Sequence, residues 1–416
     1  MNQDYTHKLT ERFMRYVAVN TQSDGAAGQV PSTPGQFELA RMLAGELESM
    51  GLAHVHVDEH AIVTATLAAN KQSAPRIGFV AHLDTVDVAL SPEVHPQVLR
   101  FDGGDICLNQ ERDIWLRVAE HPELLPYKGQ DIIFTDGTSV LGADNKAAIA
   151  NVMTMLEIML AEKTPHGEIR VAFVPDEEVG LWGSKLLDLE RFDVDFAYTI
   201  DCCAIGELVY ETFNAGTIIF EIDGVTAHPM SAKNVLVNPL LVAADIMAGF
   251  DRGQTPEHTE GKEGYWWFIG MESNPSHATL RMHIRDFDKE HYEARKKYVG
   301  EVVEYVRARH PRAKISWNAE DVYGNISNTL GDRDRYPIAL MHEAVKELGI
   351  TPHTIAMRGG TDGSALSARG LVTPNYFTGA LNFHSYAEFL PIPSFRKSLE
   401  MTLKILESAA RGRYSA

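Results

Sequence analysis

The chain has 416 residues, which is enough for two domains or for one domain that carries an insertion. Its 44% hydrophobic and 23% charged residues are typical of a soluble globular protein. The 57 Asp and Glu outnumber the 38 Lys and Arg, and the formal net charge of −19 disfavours a nucleic-acid or anionic-membrane partner.

The cysteines and the amino terminus indicate a cellular compartment. Cys107 stands alone and Cys202 and Cys203 are adjacent, a pattern that argues against a disulfide framework. The first eight residues show no basic segment followed by an apolar core, so no secretory signal is expected. No run of about 18 apolar residues is present either, and the sequence therefore predicts a cytoplasmic protein.

The amino-terminal half has the pattern of an α/β protein. Helical spacing of apolar residues predicts helices at residues 6–17 and 36–50. Apolar runs predict strands at residues 55–57, 62–67 and 76–82. Residues 91–142 are rich in Pro, Gly and Asp and are expected to be irregular. Helix and strand then alternate over residues 144–201, which implies a largely parallel sheet covered by helices.

The pattern changes near residue 210. Predicted elements now follow as strand, helix, strand, strand, helix and strand, at residues 217–222, 238–250, 264–270, 278–285, 290–309 and 314–319. This order describes a compact two-layer α+β unit that can be inserted whole. The α/β pattern resumes near residue 326 with a helix at 337–348 and a closing helix at 394–410.

Polar side chains follow the predicted strands. His82 and Asp84 project to the same face, so His82 can bind a metal while Asp84 holds its other ring nitrogen. The alternative is a strand-end histidine capped by a turn aspartate. Asp144 lies among small residues that allow close approach, although it could equally be the N-cap of the following helix.

Further acids and a second histidine complete a donor set. Glu177 and Glu178 follow an apolar strand; such pairs are commonly surface residues, but a cation would offset their repulsion at a buried strand end. One acid can then bind metal while the other accepts a proton from water. Asp201 and His384 also follow apolar runs, and the whole set suits zinc or manganese. With one shared carboxylate, five ligands fit two ions about 3.5–4 Å apart.

The order of the motifs resembles the M20 metallopeptidase family. The matching segments are HLDT (82–85), GADNKA (142–147), PDEEVG (175–180), the strand ending at Asp201, GVTAHP (224–229), RDFD (285–288), RGGTDG (358–363) and the TG…H segment ending at His384. The resemblance covers nearly the whole chain. Within the family, PSTPGQ (31–36), GGD (103–105) and RGGTDG resemble the tripeptide aminopeptidases most closely.

The resemblance implies a role for each candidate metal ligand. His82, Asp144 and Asp201 would hold one zinc ion, and Asp144, Glu178 and His384 would hold the second. Glu177 would be the general base, and Asp84 would orient His82.

The inserted unit is implied to be a lid that supplies substrate contacts. His228 would stabilise the tetrahedral intermediate, and Arg285 and Arg358 would bind the substrate carboxylate. A charged donor stabilises a developing oxyanion strongly, and arginine binds carboxylates through two parallel hydrogen bonds. The structural alternatives are a turn residue for His228 and a surface ion-pair cluster for Arg285.

Three features depart from the family pattern near the expected substrate site. Cys202 and Cys203 follow Asp201 where small residues are usual, Leu181 and Trp182 lengthen the turn after the glutamates, and Met230 replaces the usual glycine. Thiolate ligands would bind zinc tightly and slow turnover, so the cysteines are expected to be pocket walls. These departures leave the preferred peptide length open.

Together, these observations predict an α/β zinc-peptidase-like catalytic domain at 1–210 and 326–416, with a mixed, largely parallel sheet covered by helices. An α+β lid is expected at 211–325. The expected function is a di-zinc aminopeptidase that releases the amino-terminal residue of tripeptides, with Mn²⁺ or Co²⁺ as substitute metals. The alternatives are a carboxypeptidase or N-acyl amino acid hydrolase of the same fold, or a non-catalytic metal-dependent binding protein. A homodimer is compatible with the resemblance, because in some relatives the lid histidine serves the partner's site.

Overall fold

The computed structural model describes residues 3–331 and 335–412. Its α-helices are α1 (Gln3–Val17), α2 (Pro34–Ser49), α3 (Ala143–Glu162), α4 (Trp182–Leu186), α5 (Leu189–Phe192), α6 (Pro239–Ala248), α7 (Lys289–Arg309), α8 (Tyr336–Glu347), α9 (Asp362–Ala368) and α10 (Ile392–Arg411). None of these helices has the length and apolarity needed to span a bilayer.

The strands alternate with these helices along the chain. They are β1 (Ala53–Val57), β2 (Val63–Leu67), β3 (Ile77–His82), β4 (Gln97–Phe101), β5 (Ile106–Asn109), β6 (Ile114–Leu116), β7 (Gln130–Phe134), β8 (Ile169–Val174), β9 (Phe196–Cys202), β10 (Glu207–Thr212), β11 (Asn214–Asp223), β12 (Tyr265–Ser273), β13 (His277–Asp286), β14 (Lys314–Tyr323), β15 (His353–Met357), β16 (Asn375–Phe377) and β17 (Phe389–Pro391).

The chain divides into two compact units. The first comprises Met1–Tyr210, Thr329–Ile355 and Thr361–Ala416, and the second comprises Glu211–Asn328 and Ala356–Gly360. The short segment Ala356–Gly360 therefore lies with the second unit, whereas the sequence analysis assigned it to the catalytic domain. The reason is that Arg358 hydrogen-bonds and stacks within the second unit, as described below.

The first unit contains an eight-stranded sheet of order β1-β2-β8-β3-β9-β16-β10-β15. Strands β8, β3, β9 and β16 run parallel to one another, β1 and β2 are antiparallel to their neighbours, and β10 is antiparallel to β16. Every residue of β3 is buried, as expected for a strand covered on both faces. Because the four central strands are parallel, their carboxyl ends meet at one edge of the sheet, and the mixed α/β fold predicted from the sequence is confirmed.

Helices cover both faces of this sheet. On one face Val80 and Ala172 pack with Phe192 of α5 and Leu366 of α9. Helix α3 also contacts β3 and β9, and it packs against α1 and α10. Of the apolar residues at helical spacing in α1, Leu9, Phe13 and Val17 are fully buried and Met14 is partly buried. Phe13 meets Phe395 of α10 edge to face with ring centroids 5.6 Å apart.

The segment 91–142 was predicted to be irregular, and that prediction is wrong. It forms β4, β5, β6 and β7, joined by a 3₁₀ helix at Pro122–Tyr127. Strand β7 pairs with β4 and with the distant β17. A small apolar core with Phe101, Leu116, Phe134 and Phe389 stabilises these short strands. The partners of β7 are remote in sequence, and β5 and β6 are only four and three residues long, so local pattern carries little signal for these strands.

The second unit is a four-stranded antiparallel sheet of order β12-β13-β11-β14 with α6 and α7 on one face. Alternate residues of each strand point to these helices, so Phe220 and Ile284 pack with Val242 of α6 and Val303 of α7. The chain order β11, α6, β12, β13, α7, β14 is the one expected from the sequence pattern. Its role as a lid stays a prediction.

Candidate metal centre

The carboxyl edge of the parallel strands collects the predicted ligands. His82 is the last residue of β3, Asp201 lies near the end of β9, and the two glutamates follow β8. His384 follows β16, and Asp144 lies at the start of α3. The structure therefore brings all five predicted ligands to one place, because parallel strands present their carboxyl ends together.

Asp144 lies at the centre of this group. Its Oδ1 is 2.9 Å from Nε2 of His82, and its Oδ2 is 3.1 Å from Nε2 of His384. Asp144 and Asn145 have non-helical backbone angles, so the regular turns of α3 begin after them. Both oxygens of Asp144 face imidazoles, and no hydrogen bond from a backbone N–H of α3 to this carboxylate is found among the described residues, so the N-cap alternative is wrong.

The remaining ligands divide between the two sides of Asp144. Asp201 Oδ1 lies 4.0 Å from Nε2 of His82, on the Oδ1 side. Glu178 Oε1 lies 2.9 Å from Nε2 of His384, on the Oδ2 side. The cluster is compact, since ligand atoms of His82, Asp144 and Glu178 lie within 4.8 Å of one another. One carboxylate thus lies between two imidazole–carboxylate pairs, an arrangement compatible with the predicted pair of ions.

The spacing of these atoms fits zinc. Two ligand atoms that lie about 2.0–2.1 Å from one ion at a tetrahedral angle are roughly 3.3 Å apart. The observed separations of 2.9–4.0 Å bracket that value. Glu178 Oε1 is buried and lies 2.9 Å from Nε2 of His384. A buried carboxylate that faces the ring nitrogen of another candidate ligand suits a cation site, because a bound cation offsets the cost of burying several acids together.

Asp84 contacts both His82 and the turn that carries Glu177 and Glu178, here called the glutamate turn. It is fully buried, and its Oδ1 lies 3.3 Å from Nδ1 of His82. The same ring nitrogen lies 3.1 Å from the backbone carbonyl oxygen of Asp84. The carboxylate also accepts the backbone N–H groups of Glu177 at 3.0 Å and Glu178 at 3.2 Å. With its Nδ1 engaged, His82 presents Nε2 to the centre.

Burial and like charge perturb the acids of the centre. Burial raises the pKa of Glu178 to about 7 and that of Asp201 well above its usual value. Burial also opposes ionisation of Asp144, but hydrogen bonds from His384 and His82 outweigh it and lower the pKa. The same hydrogen bonds to Asp144 and Glu178 raise the pKa of His384 to about 11. Several carboxylates are buried close together in this cluster, and a bound cation would offset the repulsion between their negative charges.

Glu177 stands beside the ligands with its carboxylate outside the pairs described above. Burial raises its pKa well above the ordinary glutamate value, and the neighbouring Glu178 raises it further. A carboxylate with a raised pKa is a better proton acceptor at neutral pH than an exposed glutamate. Its position and basicity suit a general base.

Two polar residues that sequence reasoning missed support the centre. The buried carboxylate of Glu388 accepts the backbone N–H groups of Leu141 at 2.7 Å, Gly142 at 2.9 Å and Asp144 at 3.2 Å. Asn145 donates to Asp201 Oδ1 at 2.7 Å. No local pattern marks Glu388, whereas Asn145 lies inside a motif and its polarity in a buried helix start was the available signal.

The group of candidate ligand atoms found among the described residues contains no cysteine. All three thiols are free, and Cys202 is buried. Burial, with a contribution from Glu207, raises the pKa of the Cys202 and Cys203 thiols. Metal binding requires the thiolate, which this burial disfavours, and the expectation that the cysteines are pocket walls stays a prediction.

The second unit holds the three predicted substrate contacts. His228 is exposed, and its Nδ1 accepts the backbone N–H of Met230 at 3.2 Å. The neutral ring therefore carries its proton on Nε2. Arg285 donates to the Gly216 and Ile284 carbonyls and lies 5.6 Å from the ring centroid of Tyr323.

The contacts of Arg285 and Arg358 can be compared with the surface ion-pair cluster that the sequence left open for Arg285. Asp286 pairs with Arg295 at 2.8 Å, so the proposed ion-pair cluster around Arg285 is absent among the described residues. Arg358 donates to the carbonyls of Gly261 and Glu263 and to the Thr259 hydroxyl. It also lies over the rings of Phe213 and Tyr265. These contacts engage much of its guanidinium within the second unit.

Comparisons with known proteins give a consistent result. The sequence model described as peptidase family M20/M25/M40 matches residues 120–408. A peptidase T-like protein of Yersinia pestis is 60% identical over 406 residues, 98% of each chain. A peptidase T of Clostridium botulinum is 42% identical over 402 residues, 96% of this chain and 98% of that protein. The crystal structure of aminopeptidase PepT from Bacillus cereus shares the fold, with a TM-score of 0.77 at 22% identity over 98% of this chain and 99% of that one.

Proposed function

The chain belongs to the peptidase family M20/M25/M40 and is a metallopeptidase, and from that premise we propose that it is a di-zinc aminopeptidase acting on tripeptides. The observation that carries the proposal is the placement of Asp144 between two imidazole–carboxylate pairs, with Glu177 beside them. The peptidase T relatives, at 42% identity over nearly the whole chain, support the tripeptide preference.

The two ions would be held by opposite sides of Asp144. His82, Asp144 and Asp201 would hold one ion, and Asp144, Glu178 and His384 the other. When bound, the ions would supply positive charge that polarises the scissile carbonyl and acidifies the attacking water. Mn²⁺ or Co²⁺ would be accepted by the same nitrogen and oxygen donors.

The protein's own groups would then move the proton and stabilise charge. Glu177 accepts the proton of the attacking water and later returns it to the departing amine. The free Nε2–H of His228 is a donor for the developing oxyanion, which supports its predicted role. Of the two predicted arginines, Arg285 is the better candidate for the substrate carboxylate, because the contacts of Arg358 are more numerous.

A substrate panel tests this proposal. Purified protein is given dipeptides, tripeptides, tetrapeptides, N-acetylated tripeptides and N-acyl amino acids, and release of free amine is followed with and without a chelator. Tripeptides with a free amino terminus are expected to be the best substrates, and chelation should stop their hydrolysis. Hydrolysis confined to N-blocked compounds would contradict the aminopeptidase assignment.

The general base is tested by Glu177→Gln. The change should lower kcat by about 10²-fold to 10⁴-fold, because the amide cannot accept the proton. Metal content, measured by elemental analysis, should stay at the wild-type level. The matched control is Glu59→Gln, an exposed glutamate outside the centre, which should leave kcat unchanged. If Glu177→Gln kept wild-type turnover, the proposed proton transfer would be wrong.

A further inference from the structure

The PSTPGQ segment at 31–36 has no part in the mechanism above, yet two of its side chains lie against the glutamate turn. Ser32 and Gln36 are buried, and both contact Asp176, the residue immediately before Glu177. Asp176 is itself fully buried. About 140 positions of sequence separate the two segments, so this contact is a feature of the tertiary structure alone.

Four hydrogen bonds join Asp176 to Ser32 and Gln36, and a fifth runs from Nε2 of Gln36 to Oγ of Ser32 at 3.3 Å. The Asp176 carboxylate accepts the Ser32 backbone N–H at 2.7 Å on Oδ2, and the Ser32 hydroxyl at 2.5 Å on Oδ1. Oδ1 also accepts Nε2 of Gln36 at 2.6 Å. The backbone N–H of Asp176 donates to Oε1 of Gln36 at 3.0 Å. A backbone N–H can only donate a hydrogen bond, so the Gln36 side-chain atom that it contacts must be the amide oxygen. The other end of the Gln36 amide is therefore the nitrogen, which donates to the Asp176 carboxylate.

Gln36 also contacts the start of its own helix, since its Nε2 lies 3.2 Å from Oγ1 of Thr33, but it does not form a capping box. It is the third residue of α2 and follows the N-cap Thr33, which is the spacing of a capping box. In a capping box the third residue would return to the N-cap backbone, but Thr33 makes no side-chain cap bond here. The amide of Gln36 instead satisfies both the backbone and the side chain of Asp176.

The turn held in this way directs both glutamates. Asp176 has a left-handed backbone with φ of 57°, which few residues other than glycine adopt. On the following side, Asp84 accepts the N–H groups of Glu177 and Glu178. The backbone around Glu177 is therefore fixed from one side by Gln36 and Ser32 and from the other by Asp84.

We propose that Ser32, Gln36 and Asp176 form a positioning clamp that sets the direction of the Glu177 carboxylate and of the ligand Glu178. The clamp touches neither substrate nor metal. It acts through the backbone of the turn, so its loss should misplace the proton acceptor and one metal ligand together. The effect on Glu177 rests on the proposed function, whereas the effect on Glu178 is a property of the metal site alone.

A reciprocal exchange tests the clamp. Asp176→Asn sets a donor against a donor in either amide orientation, because the new NH₂ meets the Ser32 backbone N–H at the Oδ2 position or the NH₂ of Gln36 at the Oδ1 position. Gln36→Glu places a carboxylate oxygen against that of Asp176. Each single change sets like groups against each other. The double variant Gln36→Glu with Asp176→Asn reverses the polarity, and every hydrogen bond can form again because the Ser32 hydroxyl can accept as well as donate.

Two properties are measured for each full-length variant. The first is Zn²⁺ affinity of the metal-free protein by competition titration, which needs no substrate. The second is kcat and KM at saturating metal with the best tripeptide. The matched control is Ser398→Ala, which removes a buried hydroxyl that donates to the Phe377 carbonyl at 2.8 Å, away from the turn. It should lower Tm while both readouts stay at wild-type values.

The single variants are expected to weaken Zn²⁺ binding about 10-fold to 100-fold and to lower kcat by a similar factor, with KM changed less than about 3-fold. The double variant should recover both values to within about 3-fold of the wild type. Ser32→Ala keeps the backbone N–H bond to Asp176 but removes the hydroxyl, which donates to Asp176 and accepts the backbone N–H of Asp24 at 2.9 Å. It should show a smaller loss of the same kind, and it provides a test of the clamp if a charge variant does not fold.

The clamp is refuted if folded single variants keep wild-type Zn²⁺ affinity and kcat while only their Tm falls, since these residues would then merely stabilise the fold. It is refuted equally if the double variant melts like the wild type but recovers neither value. Should the wild-type protein fail to cleave peptides, the proposed function is wrong, and the Zn²⁺ titration still decides the clamp.

Discussion

The substitution Asp84→Asn tests how much of the centre depends on one buried carboxylate. Oδ1 of Asp84 serves Glu177 N–H and Nδ1 of His82, while Oδ2 serves Glu178 N–H. The asparagine oxygen best replaces Oδ1, which has two donors. The new NH₂ group then faces the N–H of Glu178, and one charge-assisted hydrogen bond becomes a contact between two donors.

The expected loss can be worked from that single bond. A hydrogen bond to a charged group contributes about 1.5–3 kcal/mol. If that energy supports the active arrangement, kcat/KM falls about 10-fold to 150-fold, since each 1.36 kcal/mol corresponds to a factor of ten. The range agrees with the roughly 10-fold to 100-fold losses typical of residues that support metal ligands.

The assay is tripeptide hydrolysis at saturating Zn²⁺, with metal content measured on the same sample. Asp58→Asn is the matched control, because Asp58 accepts the backbone N–H groups of His60 and Ile62 through Oδ1 alone, and an asparagine oxygen can replace it. Asp58→Asn should leave kcat/KM unchanged. Retention of kcat/KM within about 3-fold in Asp84→Asn would refute the reasoning that this carboxylate orders the glutamate turn.

Four further outcomes are expected. Glu388→Gln should weaken Zn²⁺ binding about 10-fold in a competition titration, because one backbone N–H near Asp144 would meet an amide NH₂; unchanged affinity would contradict this. Dialysis against a chelator should abolish tripeptide hydrolysis, and added Zn²⁺, Mn²⁺ or Co²⁺ should restore it. Hydrogen bonds to two carboxylates raise the pKa of His277 above its ordinary 6.5, so the stabilisation that it provides is complete below pH 6.5 and is lost as pH rises through the raised value. The Tm difference between wild type and His277→Gln should therefore shrink from pH 6 to pH 9, and a difference that grows would exclude the ion pairs as its source. Phe220→Ala should lower the free energy of unfolding in urea by about 3–5 kcal/mol, since the side chain is fully buried in the core of the second unit.

The sequence alone identified the donors and their order. His82, Asp201 and His384 each follow an apolar run, and the parallel sheet implied by alternating helices and strands brings such positions to one edge. Donor chemistry and strand-end position are local properties, so they can be read from consecutive residues. The same holds for α1 and α3, whose apolar spacing and small residues match the structure closely.

Only the tertiary structure shows which side chains from distant parts of the sequence contact each other. The sequence left Asp144 either as a ligand or as an N-cap, and only the positions of His82 and His384 resolve the choice. Glu388 and the Gln36–Asp176 contact carry no local signal, because a hydrogen bond between remote residues leaves no periodic pattern in either segment. A side chain's donors and acceptors are known from its type, but their partners exist only once the chain has folded.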